Sequence, residues 1–358
     1  MAATEWGNNP VLKEDLEKIS FAFKQQDFFK NSRVLVTGAT GLIGSLLVKS
    51  LAFINRVHSL NMEIIAFVRN EEKAKKVFAG LLDREDISLC IGDITAPFNI
   101  KNNIDYIFHT ASITTSKTFV TKPVETLNTA IDGTRNILEL AKNCSAKGVV
   151  YVSSMEAFGI TDAKKEKIKE EDLGYIDILS VRSSYSEGKR ICETLSAAYA
   201  AEYGVPVKIA RLAQTFGAGV SSEDGRMFAA FTKSALKGED IVLHTKGESV
   251  GNYCYTSDAI TALIAILCYG KSGEAYTVVN ETTTMKIKEV AALVSETVSK
   301  GRSKVVFDIP ESTLTFGYAP DVTMHLSSEK LRSLMWEPTV DLKQMFERLA
   351  NSFKAEKL

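Results

Sequence analysis

A strand-forming run that ends in Thr37-Gly38-Ala39-Thr40-Gly41-Leu42-Ile43-Gly44 and passes straight into a helical stretch leaves this chain few folds to choose from. The β-branched residues 33–37 precede the glycines, and residues 42–54, with apolar side chains at helical spacing, follow them. In that setting each glycine has its own task. Gly38 permits a tight turn, Gly41 lets backbone approach a pyrophosphate, and Gly44 allows close helix–strand packing. Thr40, Leu42 and Ile43 share the turn and the helix start, where amide hydrogens and the positive dipole end face phosphate oxygens. Glycine spacing alone is weak, but its strand–turn–helix context favours a dinucleotide site over a structural turn.

The same alternation continues along the chain. Residues 63–68, 87–91, 104–109, 148–153 and 207–212 look like further buried strands, separated by helical patterns over 71–81, 123–144 and 186–203. Such alternation predicts an α/β fold, a doubly wound parallel sheet with helices on both faces. Residues 11–29 predict an added amphipathic helix, a packing or dimer-contact element, within an N-terminal extension over 1–30. After residue 215 the pattern loosens into a loop (217–225), a helix (227–237), a strand (241–244) and helices at 257–269 and 286–299. We therefore expect a dinucleotide-binding domain over 31–215 and a smaller substrate lobe over 216–358, partly interleaved with it.

Charge and cysteine content narrow the class. The 43 basic and 44 acidic residues nearly cancel, which argues against nucleic-acid or membrane-surface partners. Five cysteines without C-x-x-C spacing and four scattered histidines support neither a disulfide framework nor a metal site. Acidic positions near the start and an apolar run no longer than residues 259–269 point to a cytoplasmic protein without signal peptide or membrane span.

Three further places carry chemistry. At the end of the second strand, Arg69 suits the 2′-phosphate of NADP where an acidic residue would bind the ribose of NAD; a surface arginine is the alternative. Asp93, after the third strand, could reach an adenine edge or merely stabilise its turn. Tyr185 and Lys189 stand one helical turn apart, so an ammonium can face a phenol and lower its pKa toward a usable base. Upstream, Ser153-Ser154 ends a strand where a hydroxyl could share the substrate oxygen with Tyr185.

With these motifs the chain resembles the extended short-chain dehydrogenase/reductases of the nucleotide-sugar epimerase/dehydratase/decarboxylase family, from about residue 31 to 300. The resemblance implies a Rossmann fold. It implies Gly38, Gly41 and Gly44 at the cofactor diphosphate, Asp93 and Ile94 at the adenine, and His109, Thr110 and Ala111 along the cofactor. Ser154, Tyr185 and Lys189 match the catalytic set, with Lys189 also on the nicotinamide ribose; Ser112, Gln214 and Arg226 fall at substrate positions. Asn128 matches an asparagine of the family's long helix. Residues 181–190, 193–195, 211–217 and 224–226 are especially similar to UDP-glucuronate decarboxylases, and Glu156 matches an active-site glutamate of decarboxylases and dehydratases. A homodimer through the helices at 123–144 and 186–203 is expected on the same ground.

Three positions depart from the pattern. Met155 stands where dTDP-glucose dehydratases have the acid that protonates the leaving hydroxyl, Gln214 where an asparagine is common, and Gly251 where an arginine clamps the substrate. Arg182, Arg226 and Lys246 are the candidates to compensate. The expected chemistry is transient oxidation of a nucleotide sugar at carbon four with NAD or NADP. Tyr185 takes the proton, Ser154 orients the oxygen and Glu156 acts at the neighbouring carbon, ending in epimerisation, dehydration or decarboxylation. The alternatives are an NADP-dependent ketone or sugar reductase, motivated by Arg69, and a non-catalytic cofactor-binding scaffold.

Overall fold

The computed structural model describes residues 9–98, 100, 103–310 and 323–356; the first eight residues of the N-terminal extension, residues 311–322 and the last two residues of the lobe lie outside them. Six strands succeed one another in the first part of the chain: β1 (Arg33–Thr37), β2 (Glu63–Val68), β3 (Ile87–Ile91), β4 (Tyr106–His109), β5 (Gly148–Ser154) and β6 (Val207–Leu212). Then come β7 (Gln214–Phe216), β8 (Ile241–Leu243), β9 (Val250–Tyr255), β10 (Ala275–Val278), β11 (Asn280–Lys286) and β12 (Val305–Phe307). The main sheet has the order β3-β2-β1-β4-β5-β6-β10, and every neighbouring pair in it is parallel. Its order reverses direction between β1 and β4, which opens a crevice at their carboxyl ends.

Helices α1 (Pro10–Ala22), α2 (Gln26–Phe29), α3 (Leu42–His58), α4 (Glu71–Val77), α5 (Ser116–Thr121), α6 (Pro123–Asn143) and α7 (Ser183–Tyr203) flank this sheet or connect its strands. The remainder are α8 (Met227–Lys237), α9 (Thr256–Tyr269), α10 (Ile287–Ser299), α11 (Glu329–Arg332) and α12 (Leu342–Ala355). Successive residues of one strand serve opposite layers. Val34 and Val36 of β1 join Leu47 of α3 and Leu263 of α9, whereas Leu35 joins Ile137 of α6 and Cys192 of α7. Buried on both sides, these strands read as continuous apolar runs.

Element ends depart from expectation for local reasons. The strand expected from residue 104 starts at Tyr106; just before it, Asp105 ties the strand ends together, its amide donating to the Arg33 carbonyl at 3.0 Å and its carboxylate accepting from the Arg33 backbone N–H at 2.8 Å. The single helix expected over 11–29 is broken at Phe23, which is extended, giving α1 and α2. Asn9 caps α1 by accepting from the amides of Val11 and Leu12, and Leu12, Leu16 and Ile19 turn into the cluster shared with α3 and α9.

The chain returns to the main sheet late: β10 extends it next to β6. A three-stranded sheet, β11-β9-β7, and the pair β12-β8 stand apart from it. They belong with a second cluster built on Phe216, Phe228, Tyr253, Phe346 and Phe353.

Candidate active site

The turn after β1 is as tight as its glycines imply. Gly38 has φ +62°, and a Cβ on it would meet the Ala111 Cα at 2.7 Å. A Cβ on Gly44 would sit 2.3 Å from the Gly38 oxygen, so α3 lies hard against the turn. Gly41 caps α3 without a side chain, and the helix start therefore keeps its amide donors for a ligand. A close-packed glycine cradle below a helix start with no side-chain cap fits a dinucleotide diphosphate.

Beyond β4 the chain closes over this turn. The Thr110 hydroxyl donates to the Thr37 carbonyl at 2.6 Å, and the Ala111 amide donates to the Thr37 hydroxyl at 3.2 Å. Ser112 follows, partly buried, its hydroxyl donating to the Ile113 carbonyl at 3.3 Å. His109 does not line a ligand space. It is buried, 2.7 Å from the Thr37 hydroxyl and 3.3 Å from that of Thr134, and loss of water with the nearby Lys189 charge pushes its pKa down to about 3. It is a neutral strut joining β1, β4 and α6.

At the adenine end two expectations sharpen. The Asp93 carboxylate accepts from the Thr95 amide at 2.9 Å and hydroxyl at 2.8 Å, an Asx turn. Those bonds, with the Arg69 charge beside them, hold its pKa below the ordinary carboxylate value. The Ile94 side chain points into the core, where a Cβ on Gly133 would meet its Cγ2 at 3.1 Å, which leaves its backbone as the part that could reach an adenine.

The second cluster forms where β5 meets α7. Ser154 ends β5 and its hydroxyl accepts from the Glu156 amide at 3.2 Å, opening the 3-10 turn Met155–Phe158. Tyr185 lies in the first turn of α7, and Lys189, one turn on, is fully enclosed with its ammonium donating to the Val152 carbonyl at 2.8 Å. The Lys189 nitrogen is 5.6 Å from the Tyr185 ring centroid, so the two do share a face. Arg182 grips both oxygens of Glu156, at 2.9 and 3.1 Å, and the Ser186 hydroxyl donates to the same carboxylate at 3.2 Å.

One electrostatic expectation is corrected. The Tyr185 phenol is pushed well above the ordinary tyrosine value, first by loss of water and then by the Glu156 charge; a Ser154 hydrogen bond and the Arg182 and Arg226 cations offset this only in part. Lys189 does not bring it down, because burial costs the ammonium as well and lowers its own pKa to about 8. Without a ligand, Tyr185 is a phenol.

The model of the NAD dependent epimerase/dehydratase family matches residues 34–280, more than half of the chain. This chain belongs to that family. It is an enzyme of the family by sequence as well: it is 29% identical over 331 residues to UDP-glucuronic acid decarboxylase 6 of Arabidopsis thaliana, covering 91% of this chain and 90% of that protein. Among solved structures, a dTDP-glucose 4,6-dehydratase from Streptomyces venezuelae with NAD bound superposes with a TM-score of 0.75 at 21% identity, covering 91% of this chain and 98% of the other. A UDP-glucose 4-epimerase from Thermotoga maritima with UDP-glucose gives 0.75 at 20% identity, covering 91% and 100%. These likenesses carry the Rossmann fold.

The departures of this family member now have physical form. Met155 packs against the cluster of Phe158, Ala213 and Leu326, leaving no acid at that position. At Gly251 any side chain would collide with Tyr253: an added Cβ would lie 2.1 Å from the phenol oxygen. Among the described residues that oxygen is buried without a hydrogen-bond partner, and the Tyr253 ring occupies the ground an arginine stem would need. Gln214 is exposed at the start of β7. Arg226 pairs with Asp224 at 2.6 Å and stacks over Phe228 at 4.8 Å, and its charge reaches Tyr185. One contributor has no signal in the order of residues: Phe119 of α5 stacks on Tyr185 and meets Arg182. Arg182, expected as a candidate to compensate for the missing arginine, pairs with Glu156.

Proposed function

We propose that this enzyme oxidises a nucleotide-linked sugar transiently at carbon four, and that decarboxylation of a sugar acid is the outcome its site favours. The supporting observation is the meeting of Ser154, Glu156, Arg182, Tyr185 and Lys189 around one phenol at the end of β5. Gly38, Thr40, Gly41, Leu42, Ile43 and Gly44 would hold the dinucleotide diphosphate, with Thr110 and Ala111 beside it. When bound, the nicotinamide supplies the hydride acceptor and a positive charge that favours the phenolate. Tyr185 then takes the hydroxyl proton while Ser154 orients the oxygen.

A ketone at carbon four makes a carboxyl at carbon six a β-keto acid. The bond between carbons five and six breaks, carbon dioxide leaves, and the electron pair moves to the carbon-four oxygen, where Tyr185 can return its proton. Arg182 would receive the sugar carboxylate beside its partner Glu156, and carbon five would take a proton from the Glu156 side. The hydride held by the cofactor would return to carbon four as Tyr185 protonates its oxygen, which restores the alcohol and the oxidised dinucleotide. With Met155 instead of an acid, loss of water is the disfavoured outcome. Substrate phosphates would fall to Arg226, with Ser112 and Gln214 at the sugar-nucleotide surface. The test is incubation with UDP-glucuronate and either NAD or NADP, with products weighed by mass spectrometry. A UDP-pentose and carbon dioxide are expected, and Tyr185→Phe should lower turnover at least about 100-fold; full turnover in that variant overturns the mechanism.

A second reading rests on Arg69 and on the phenol form of Tyr185, which is ready to give a proton: net reduction of a ketone by NADPH. Stoichiometry separates the two, since a reductase consumes added NADPH at each turnover and the decarboxylase consumes none. We also assign NADP over NAD to Arg69. Arg69→Asp should reverse the ratio of the two affinities by about tenfold in calorimetry, and an unchanged ratio sinks the assignment.

The chain is further proposed to form a homodimer through α6 and α7, where Val124 and Ile191 are exposed apolar side chains, and to work in the cytoplasm, in keeping with its five free thiols.

A further inference from the structure

The phenol of Tyr185 is held by a residue that belongs to neither cluster in the sequence. Phe119 sits in the short helix α5, behind the β4 loop whose Ala111 closes on Gly38. Its ring lies parallel to that of Tyr185, with centroids 4.3 Å apart and planes 8° apart. The Arg182 guanidinium meets the same ring at 4.9 Å. The Ser184 hydroxyl, from the first turn of α7, donates to the Phe119 carbonyl at 3.0 Å and fixes α5 to that turn. Phe119 is 1% exposed, so the ring is set between neighbours and has no room to swing.

We propose that Phe119 is a positioning residue for the proton-carrying tyrosine: its ring shields one face of Tyr185 from water, and it joins the dinucleotide turn, the phenol and the Arg182–Glu156 pair into one unit. The inference rests on the reading of Tyr185 as proton carrier. One consequence follows from the stacking. An aromatic plate within van der Waals distance removes water from one side of the phenol, which disfavours its anion; burial is indeed the first cause of the raised Tyr185 pKa. The loop 110–115 runs directly into α5, so the chain links the closed glycine turn to the ring that backs the phenol.

Spectrophotometric tyrosine titration tests this on the whole protein without a substrate. Each background is measured with and without Tyr185→Phe, so that the difference is the Tyr185 signal alone. About one pH unit above the ordinary tyrosine value of about 10, the Phe119 protein should show no tyrosinate from Tyr185. Phe119→Leu keeps apolar bulk but removes the plate, and its Tyr185 should ionise at least one pH unit below that of the parent. Phe119→Tyr keeps the plate and should behave as the parent does. Ser184→Ala, which frees α5 but leaves the ring, should give an intermediate shift and guards against misfolding of the leucine variant. Unmoved titrations in both Phe119→Leu and Ser184→Ala overturn the proposal. Full turnover of Tyr185→Phe overturns the reading beneath it, a separate result from a separate measurement.

Discussion

Lys189 shows how much of this site is set by water rather than by pairing. Its ammonium is enclosed and spends a bond on the Val152 carbonyl, so burial lowers its pKa to about 8. The group is charged below that pH and neutral above it. If the charge holds a dinucleotide ribose, affinity for NAD should fall as pH rises through about 8, and Lys189→Met should bind weakly with no such dependence. Unfolding does not mimic this result. A base with a depressed folded pKa leaves the unfolded chain holding more protons between about 8 and 10.4, so this group makes the fold more stable as pH rises there. Calorimetric affinity that stays flat between pH 7 and 9 in the parent rules the role out. At this scale the sequence was readable where chemistry depends on spacing, as with Tyr185 and Lys189. It was silent where chemistry depends on what lies opposite. Nothing in the order of residues shows that Tyr253 fills the space above Gly251, that Phe119 stacks on Tyr185, or that Ile94 faces the core.

Among the elements, α1 is where a plain packing role acquires a consequence. Its Asp15 is buried and accepts from the Arg348 guanidinium of α12 at 2.6 Å and from the Tyr255 hydroxyl at 2.7 Å. The same Tyr255 oxygen accepts from the Ala218 amide at 3.4 Å, and Ala218 is itself buried in the cluster that holds Leu46 of α3. The extension thus braces the loop that rests on the dinucleotide helix. Asp15→Ala should lower stability by about 2–3 kcal/mol, less than for a wholly buried pair because Arg348 keeps Glu14 at 2.8 Å. It should also weaken NAD binding, because the braced loop touches α3. A denaturant midpoint within error of the parent would show that α1 contributes its apolar face alone. Residues 11–29 displayed an amphipathic pattern, and that much of α1 was legible; the partners of Asp15 come from residues more than 200 positions away and were not.

For the molecule as a whole, the strands β1 to β6 were legible as largely apolar runs and β8 as the strand expected near 241–244, whereas β7, β9, β10, β11 and β12 were not. β7 has three residues, β9 contains Gly251 and Asn252, and β11 is rich in threonine, so none carries a clean period. What sequence order conceals most is that α9 and β10, far past residue 215, complete the first sheet and its core. Ile260, Leu263, Ile264, Ile266 and Leu267 of α9 are all buried there. At about 1.5–3 kcal/mol for each large apolar side chain, removing α9 forfeits on the order of 10 kcal/mol. That equals the whole stability of an ordinary domain, about 5–15 kcal/mol. Residues 31–215 expressed alone should therefore lack a cooperative melting transition and the near-ultraviolet circular dichroism of a packed core. A sharp transition in that fragment would mean that α9 covers the first domain without being needed by it. The proposed division at 215 would then be a folding boundary as well as a change of pattern. The absence of a transition would make the dinucleotide turn dependent, for its very fold, on the lobe expected to bind the sugar.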